Sequence, residues 1–297
     1  MMHARIFFLL SLGLALGAAG ATVDDYAKSI EAWRADRLAR LTAPTGWLTL
    51  IGLHFLQPGD NTVGSRPDNG IVLAKGPAHF GTVMLGEDGR VTAALAATAD
   101  ARVDGRTVLV AELHSGAGNR ATLVSAGSVS FFVIERGGKK ALRVKDSAAV
   151  RRTRFPGLDY FPVDPSWRIE AQWVPFEEPR QIMITNSLGQ LMPALVPGKV
   201  VFEREGKLFE LLSIDEGPGE PLFFVLSDLT SGKETYAAAR FLYADAPVDG
   251  KVVLDFNRTE NPPCAFTPFA TCPLPPKENQ LPFAVSAGEK NFRGSHD

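Results

Sequence analysis

Residues 255–279 read Asp255-Phe-Asn-Arg-Thr-Glu-Asn-Pro-Pro-Cys-Ala-Phe-Thr-Pro-Phe-Ala-Thr-Cys-Pro-Leu-Pro-Pro-Lys-Glu-Asn279. This stretch contains both cysteines of the chain, Cys264 and Cys272, within a dense run of prolines. Each proline removes a backbone donor and restricts φ, so the stretch is incompatible with a helix or a central strand. We therefore predict an ordered loop, and ordered loops rich in polar side chains are where functional sites concentrate.

The segments around this loop predict a second β unit over residues 151–290, which carries the proline-rich cysteine loop. A buried strand, Leu222–Leu226, is followed by a tight turn and a returning strand, Glu234–Tyr243, which together predict a hairpin. The strand Val252–Asn257 then leads into the loop. Further strands are predicted at Ile169–Val174, Gln181–Thr185, Lys199–Glu203, Lys207–Ile214 and Phe283–Val285.

Residues 59–150 contain short apolar runs separated by turn-forming glycine, asparagine and aspartate residues. Regularly spaced runs of this kind are typical of a β-sandwich or barrel. The predicted strands lie at Ile71–Leu73, Thr82–Leu85, Thr107–Val110 and Val129–Ile134.

Within this segment, the series Gly59-x-Asn61-x-x-Gly64 and the turn Val103-Asp104-Gly105 resemble the forkhead-associated domain sandwich. Domains of that family bind phosphothreonine through an arginine, a serine and a histidine-centred turn. Here Ser65 stands where the arginine is expected and Gly76 where the serine is expected. The resemblance therefore implies a scaffold and not a phosphothreonine site.

Residues 22–58 predict a helix and a lead-in strand. The helix is expected over Asp24–Leu41, because its apolar residues recur every three to four positions and acidic residues suit its first turn. The apolar segment Trp47–Leu56 predicts a strand or hairpin. The predicted fold class is therefore all-β: an N-terminal helix, a forkhead-associated-like β-sandwich and a second β unit, with residues 291–297 as a disordered tail.

The N-terminus has the order of an export signal: Arg5, an apolar run over Ile6–Ala18, then Ala19-Gly20-Ala21. The apolar run is shorter than the roughly 20 residues of a transmembrane helix. We predict a signal peptide over residues 1–21 and a periplasmic or secreted protein without a membrane span after cleavage. An uncleaved anchor remains the alternative.

The composition supplies ample material for a core, since 45% of the residues are hydrophobic. The whole chain has 31 basic and 33 acidic residues, and cleavage removes only Arg5 from these. The mature chain would thus carry a net charge of −3. Nucleic-acid binding calls for a strongly basic face, so this balance gives no reason to predict it.

Six polar residues of the last third are predicted to form one cluster. Strand side chains alternate between faces, so Tyr236 and Arg240 would share one face and Asp255 and Asn257 another. One interpretation is a pocket for a small polar, anionic ligand, with Arg240 as its clamp. In that pocket the catalytic residues are Asp255 and Asp228, and the ligand-binding residues are Tyr236, Arg240, Asn257 and Asn261. The other interpretation is a structural Asp–Arg pair with asparagines bonded to turn amides.

The two cysteines predict a disulfide, because an exported chain meets an oxidising compartment. A metal site would need further ligands and a nucleophilic Cys264 would need a base. No histidine lies near either cysteine in sequence, so both remain alternatives only. The chain has no Gly-x-Ser-x-Gly, phosphate-loop or His-Glu-x-x-His motif, so the sequence assigns no metal-binding residues and leaves any cofactor unknown.

The series Asp228-x-Thr230-x-Gly232, Asn261-Pro-Pro-Cys-Ala-Phe266 and Cys272-Pro-Leu-Pro-Pro276 resembles the bacterial and archaeal family called domain of unknown function 1684. The resemblance extends over nearly the whole mature chain, although Thr259-Glu260 stands where Ala-Tyr is more usual. It implies that the polar cluster and the cysteine loop belong together. It implies no activity.

From these features we predict an exported protein that binds or processes a small polar, anionic ligand at the polar cluster. The alternative is a non-catalytic interaction module of the cell envelope, in which the motif residues serve as structural glue. The motifs specify neither an enzymatic reaction nor an oligomeric state.

Overall fold

The computed structural model describes residues 23–116 and 121–294. The predicted signal peptide, residues 1–21, lies outside the described residues, as do the last three residues of the predicted tail. In the described part, no helix is long and apolar enough to cross a membrane. The fold is mostly β with a long N-terminal helix and several sheets, which confirms the predicted all-β class.

Helix α1 spans Val23–Thr42 and confirms the predicted helix. Its inner face buries Ile30, Arg37 and Leu41, which follow the predicted spacing. Arg37 is only 6% exposed, so the helix brings a positive charge into the interior as well as an apolar stripe.

The first β unit is a sandwich of two five-stranded sheets around one apolar core. Its strands are β1 (Leu50–Phe55), β2 (Gly59–Gly64), β3 (Ile71–Val72), β4 (Gly81–Leu85), β5 (Val91–Leu95), β6 (Arg102–Val103), β7 (Val110–Glu112), β8 (Val124–Ala126), β9 (Val129–Arg136) and β10 (Lys139–Asp146). One sheet has the order β1-β10-β9-β8-β6 and the other β3-β2-β4-β5-β7. Phe80 and Phe131 meet edge to face in the core, with 5.3 Å between ring centroids.

The structure changes some details of this unit. The lead-in strand β1 pairs with β10 and therefore belongs to the sandwich, which begins at Leu50 and not at residue 59. The strand predicted over Thr107–Val110 starts three residues later, at Val110. Strand β10 has no counterpart among the predicted strands, because its basic residues interrupt the apolar run on which the prediction relied.

A short helix, α2 (Val150–Thr153), leads to the second unit. Its strands are β11 (Arg168–Thr185), β12 (Leu191–Arg204), β13 (Lys207–Ser213), β14 (Leu222–Leu226), β15 (Arg240–Ala244) and β16 (Lys251–Asp255). One sheet has the order β13-β12-β11-β16, and β14 pairs with β15. Trp167, Phe202 and Phe256 fill the core between them.

Several predicted strands of this unit are corrected. The two strands expected over 169–185 are one long strand with an irregularity between Pro175 and Arg180. The returning strand of the hairpin begins only at Arg240, so residues 234–239 form a loop and not a strand. Residues 283–285 are likewise outside any strand.

The proline-rich stretch is an ordered loop, as predicted, and much of it is buried. Asn279 makes this possible, because its amide group bonds the backbone of Leu212 and the carbonyl of Val225. Cys264 and Cys272 are joined by a disulfide with Cα atoms 6.2 Å apart, which confirms the predicted pairing.

The chain remains packed beyond residue 290, so the tail predicted as disordered does not begin at residue 291. The Asn291 amide donates to the Glu234 carbonyl across 2.8 Å. The Phe292 ring stacks on Phe155 at 5.4 Å.

Candidate functional site

Asp228 and Arg240 form an ion pair that is fully enclosed by protein. Arg240 Nη1 lies 2.8 Å from Asp228 Oδ2 and 2.9 Å from the Val285 carbonyl, and Nη2 bonds the Ala287 carbonyl. Asp228 Oδ1 accepts from the Thr230 amide at 2.8 Å and its hydroxyl at 2.6 Å. Burial lowers the pKa of Arg240, and the Asp228 carboxylate opposes this shift. At 1% exposure, Arg240 presents no open face to a ligand.

Tyr236 does not lie on the strand that carries Arg240. Its hydroxyl instead donates to the Cys264 carbonyl across 3.2 Å, and the residue packs against the apolar cluster that contains both cysteines. Burial raises the pKa of the Tyr236 phenol. The expected common strand face of Tyr236 and Arg240 is therefore wrong.

Asp255 and Asn257 form a second polar group, around the phenol of Tyr26. Strand β16 ends at Asp255, so the two residues do not share a strand face. Both bond the Tyr26 hydroxyl: it donates to Asp255 Oδ1 at 2.8 Å, and Tyr26 Oη accepts from Asn257 Nδ2 at 2.9 Å. Burial and the bond to Asp255 raise the pKa of Tyr26. Asn257 also bonds the backbone of Asp164 and is fully buried.

Asn261 belongs to a third group, centred on Arg37. The backbone N–H of Asn261 donates to Glu289 Oε2 at 2.7 Å, and its backbone carbonyl accepts from Arg37 Nη2 at 2.8 Å. Arg37 Nε lies 2.8 Å from Glu289 Oε1 and 3.2 Å from Glu260 Oε2. Gly288 permits this geometry: its φ is +77°, and a Cβ there would meet the Thr259 carbonyl oxygen at 2.5 Å.

The six predicted residues therefore lie in separate polar groups and do not form one cluster. Four of them are buried and bonded to other groups of the protein: Asp228, Arg240, Asn257 and Asn261. Asp255 differs from them, because it lines a large cavity.

That cavity, of about 910 Å³, lies where helix α1, the sandwich and the second unit meet. Cavities of about 310 and 410 Å³ adjoin it, and Trp47 lines all three. Lys145 lines the first two, and Glu260 and Tyr243 line the first and third. We call the three together the interdomain cleft and the first of them its largest cavity. Each of the three volumes is in the range of small-molecule sites.

Glu260 is the carboxyl with the most altered chemistry in the interdomain cleft. Burial raises its pKa from 4.5 to about 7; the positive charges of Arg37 and Arg40 oppose the rise and the charge of Glu289 adds to it. Glu260 and Glu289 share the one buried guanidinium of Arg37, so the charge of Arg37 does not cancel the effect of burial. Burial also raises the pKa of Tyr243, with the nearby carboxylates adding to the effect. Glu260 is therefore able to exchange a proton near neutral pH.

Three cations on one face of the sandwich line the cavity of about 310 Å³ in this cleft. Arg143 and Lys145 alternate with apolar residues of β10, and Arg136 projects to the same side from β9. Arg136 Nε and Arg143 Nη2 share the Thr271 hydroxyl, at 3.1 and 3.4 Å. We call Arg136, Arg143 and Lys145 the basic recess.

The basic recess has no acidic counterpart. Among the described residues, no carboxylate lies within 4 Å of any of the three cations. Arg143 is 5% exposed, and its buried Nε has no hydrogen-bond partner there. Burial, and secondarily the charge of Arg136, lowers the pKa of Arg143 to about 10. Burial and the charge of Arg143 also lower the pKa of Lys145. The recess therefore has the electrostatics of a site for an anion.

Sequence reasoning missed the basic recess and Glu260. The alternation of Arg143 and Lys145 with Leu142 and Val144 was a usable strand signal. It did not reveal that the polar face of that strand would be covered by the second unit. Glu260 stood within the motif stretch but had no apparent partner in sequence.

The structure also bears on the alternative roles of the two cysteines, as a nucleophile or as metal ligands. The disulfide occupies both sulfur atoms, so neither thiol is available as a nucleophile or ligand in this state. Within residues 23–116 and 121–294, no three histidine, cysteine, aspartate or glutamate residues are grouped to hold a metal ion.

Comparison with known proteins places the second unit among relatives. Residues 153–290 match the profile of a family described as "Protein of unknown function (DUF1684)". The chain is also similar to the solution NMR structure of an uncharacterized protein of Haloarcula marismortui, with 31% sequence identity and a TM-score of 0.40. That similarity covers 47% of this chain and 78% of the other. No curated protein matches the chain. The profile match includes Asp255, Glu260 and Thr271, but neither Trp47 nor Arg143.

Proposed function

Because the chain belongs to the DUF1684 family, whose description names no function, we propose a function from the geometry of this chain: it binds a small anionic ligand in the interdomain cleft. We further propose that it does so as an exported protein of the periplasm or cell exterior. The export part rests on the signal-like residues 1–21.

The observation that carries the proposal is the buried charge of Arg143, which has no carboxylate partner among the described residues. Taking a cation out of water is costly unless a counter-charge or hydrogen bonds replace the lost hydration. The Arg143 side chain has one long hydrogen bond, to Thr271 at 3.4 Å, and a contact with the Trp47 ring, and the nearby charge is that of Arg136 and not of an acid. A bound anion would supply the missing charge and accept from both guanidinium groups.

The rest of the cleft suits a ligand larger than a bare ion. Asp255 and Glu260 line the largest cavity. Lys145 of the basic recess lines it too, so the cavity and the recess are connected. Binding is the core of the proposal. If the ligand is also processed, Glu260 is the group to exchange a proton with it, because its pKa is about 7. Asp255, the predicted base, has one oxygen on Tyr26 and the other 3.5 Å from Arg258.

The second candidate function is a non-catalytic interaction module, with the motif residues as structural glue. The internal satisfaction of Asp228, Arg240 and Asn257 favours the structural role for the motif. It says nothing against a ligand in the cleft, since these residues do not line it. We also retain the forkhead-associated likeness of residues 59–150 as a proposal about scaffold only.

The test is isothermal calorimetry with inorganic phosphate and sulfate at low ionic strength. Arg143→Met keeps much of the side-chain volume and removes the charge, so we expect at least a tenfold loss of affinity. Arg102→Met is the matched control, because Arg102 lies on β6 at the far edge of the same sheet and is exposed. Equal binding by both variants, or no binding by the wild type, would refute the proposal.

A further inference from the structure

We infer that the ligand of the interdomain cleft is an acidic saccharide, whose anionic group lies in the basic recess and whose hydroxyl-rich ring lies in the largest cavity. This inference rests on the proposed function, since it names the class of ligand for the same cleft. Three features carry it: an exposed tryptophan face, a lining that contains side chains of both charges, and the size of the cavity.

Trp47 provides the flat apolar surface that a sugar ring stacks on. Trp47 is 37% exposed and lines all three cavities. Arg143 Cζ lies 5.4 Å from the centroid of its ring. A ring that rests on Trp47 therefore has its substituents close to the cations of the recess. Trp33 and Tyr243 add further aromatic wall to the same cavity.

The largest cavity offers donors and acceptors together. Its charged lining residues other than Arg37 and Lys145 are Arg40, Arg168, Arg258, Asp245, Asp255 and Glu260. Among the described residues, the side chains of Arg168 and Asp245 make no hydrogen bond or ion pair with protein groups, so their polar atoms remain available. Hydroxyl groups both donate and accept, and so they match a wall of guanidinium and carboxylate groups.

This lining favours a ligand with hydroxyl groups over a purely aromatic anion. A purely aromatic anion would stack on Trp47 but would gain no hydrogen bonds from the side chains of Arg168 and Asp245. A volume of about 910 Å³ is also far more than an inorganic anion fills.

The test compares two matched series by isothermal calorimetry. The carboxylate series is acetate, benzoate, cyclohexanecarboxylate and glucuronate, with glucose as the uncharged sugar. The phosphate series is inorganic phosphate, phenyl phosphate and glucose 6-phosphate. In at least one series we expect the acidic sugar to bind about tenfold or more tightly than its unhydroxylated analogues. Glucose alone should bind weakly.

Variants separate the two parts of the site. Asp245→Asn and Arg168→Met should each weaken the acidic sugar about fivefold or more and leave inorganic phosphate unchanged. Arg143→Met should weaken both. Asp245 and Arg168 are exposed, so these substitutions are expected to leave the melting temperature unaltered.

The outcomes distinguish the inference from the function on which it rests. If all members of a series bind equally in both series, anion binding stands and the saccharide is refuted. Tightest binding of benzoate or phenyl phosphate would also overturn it, in favour of an aromatic anion. If no anion binds, both the inference and the proposed function fail.

Discussion

Arg37 of helix α1 and Glu289, near the end of the described chain, form a buried ion pair with 2.8 Å between Nε and Oε1. Through it, the N-terminal helix is bonded to the segment that the DUF1684 profile matches. The helix thereby becomes one wall of the interdomain cleft, to which it contributes Trp33, Arg37 and Arg40.

Arg37→Met should destabilise the protein by about 3–5 kcal/mol, because it leaves Glu289 buried without its counter-charge. Urea unfolding at pH 7 measures the effect. Lys28→Met on the same helix is the control: the Lys28 side chain is 79% exposed, so its loss should cost little. Similar effects of both substitutions would contradict the assigned role of Arg37.

Arg240→Ala should lower the melting temperature strongly and leave phosphate affinity unchanged. The substitution strands the buried Asp228 carboxylate, which we expect to cost about 3–5 kcal/mol. Thermal unfolding and calorimetry with phosphate give the two readouts. Lost binding at an unchanged melting temperature would restore Arg240 as the ligand clamp that the sequence predicts.

Glu260 should make stability depend on pH between about 4.5 and 7. Its folded pKa of about 7 lies above its ordinary value of 4.5, so the folded state binds the proton more tightly. The resulting stabilisation is complete below pH 4.5 and is lost as the pH rises through 7, by up to about 3 kcal/mol. Glu260→Gln should remove this dependence. Urea unfolding of both proteins at pH 5 and pH 8 provides the comparison, and parallel curves would show that the shift is absent.

Replacing both cysteines by serine should destabilise the protein by roughly 2–3 kcal/mol, as expected for a short closed loop. Thr271, which bonds Arg136 and Arg143, directly precedes Cys272. We therefore also expect weaker phosphate binding. Unfolding and calorimetry test the two effects, with Ser187→Ala as a control for the hydroxyl beside the disulfide. Unchanged phosphate affinity would mean that the disulfide does not hold Thr271 in place.

Export predicts cleavage after Ala21, so that the mature chain begins at Thr22. Intact mass and N-terminal sequencing of the protein isolated from the native cell envelope would establish the terminus. A chain that retains residues 1–21 would instead support an uncleaved anchor or a protein that is not exported.

Local patterns in the sequence were enough for those features that depend on neighbours along the chain. Helix α1 follows from its spacing and acidic first turn, and the loop of residues 255–279 follows from its prolines, because propensity and proline geometry act over a few residues. The disulfide was also predictable, since its two cysteines are eight residues apart and the chain has no others.

The location of the candidate site depends on contacts between segments that are distant in sequence. Local sequence patterns do not predict such contacts. Tyr236 and Arg240 separate because residues 234–239 turn into a loop, although alternation alone assigned them to one strand face. Arg143 lies on a strand of the sandwich, yet Thr271, 128 residues away, makes its recess. Burial sets the chemistry of both Arg143 and Glu260, and burial exists only once the helix, the sandwich and the second unit have packed together.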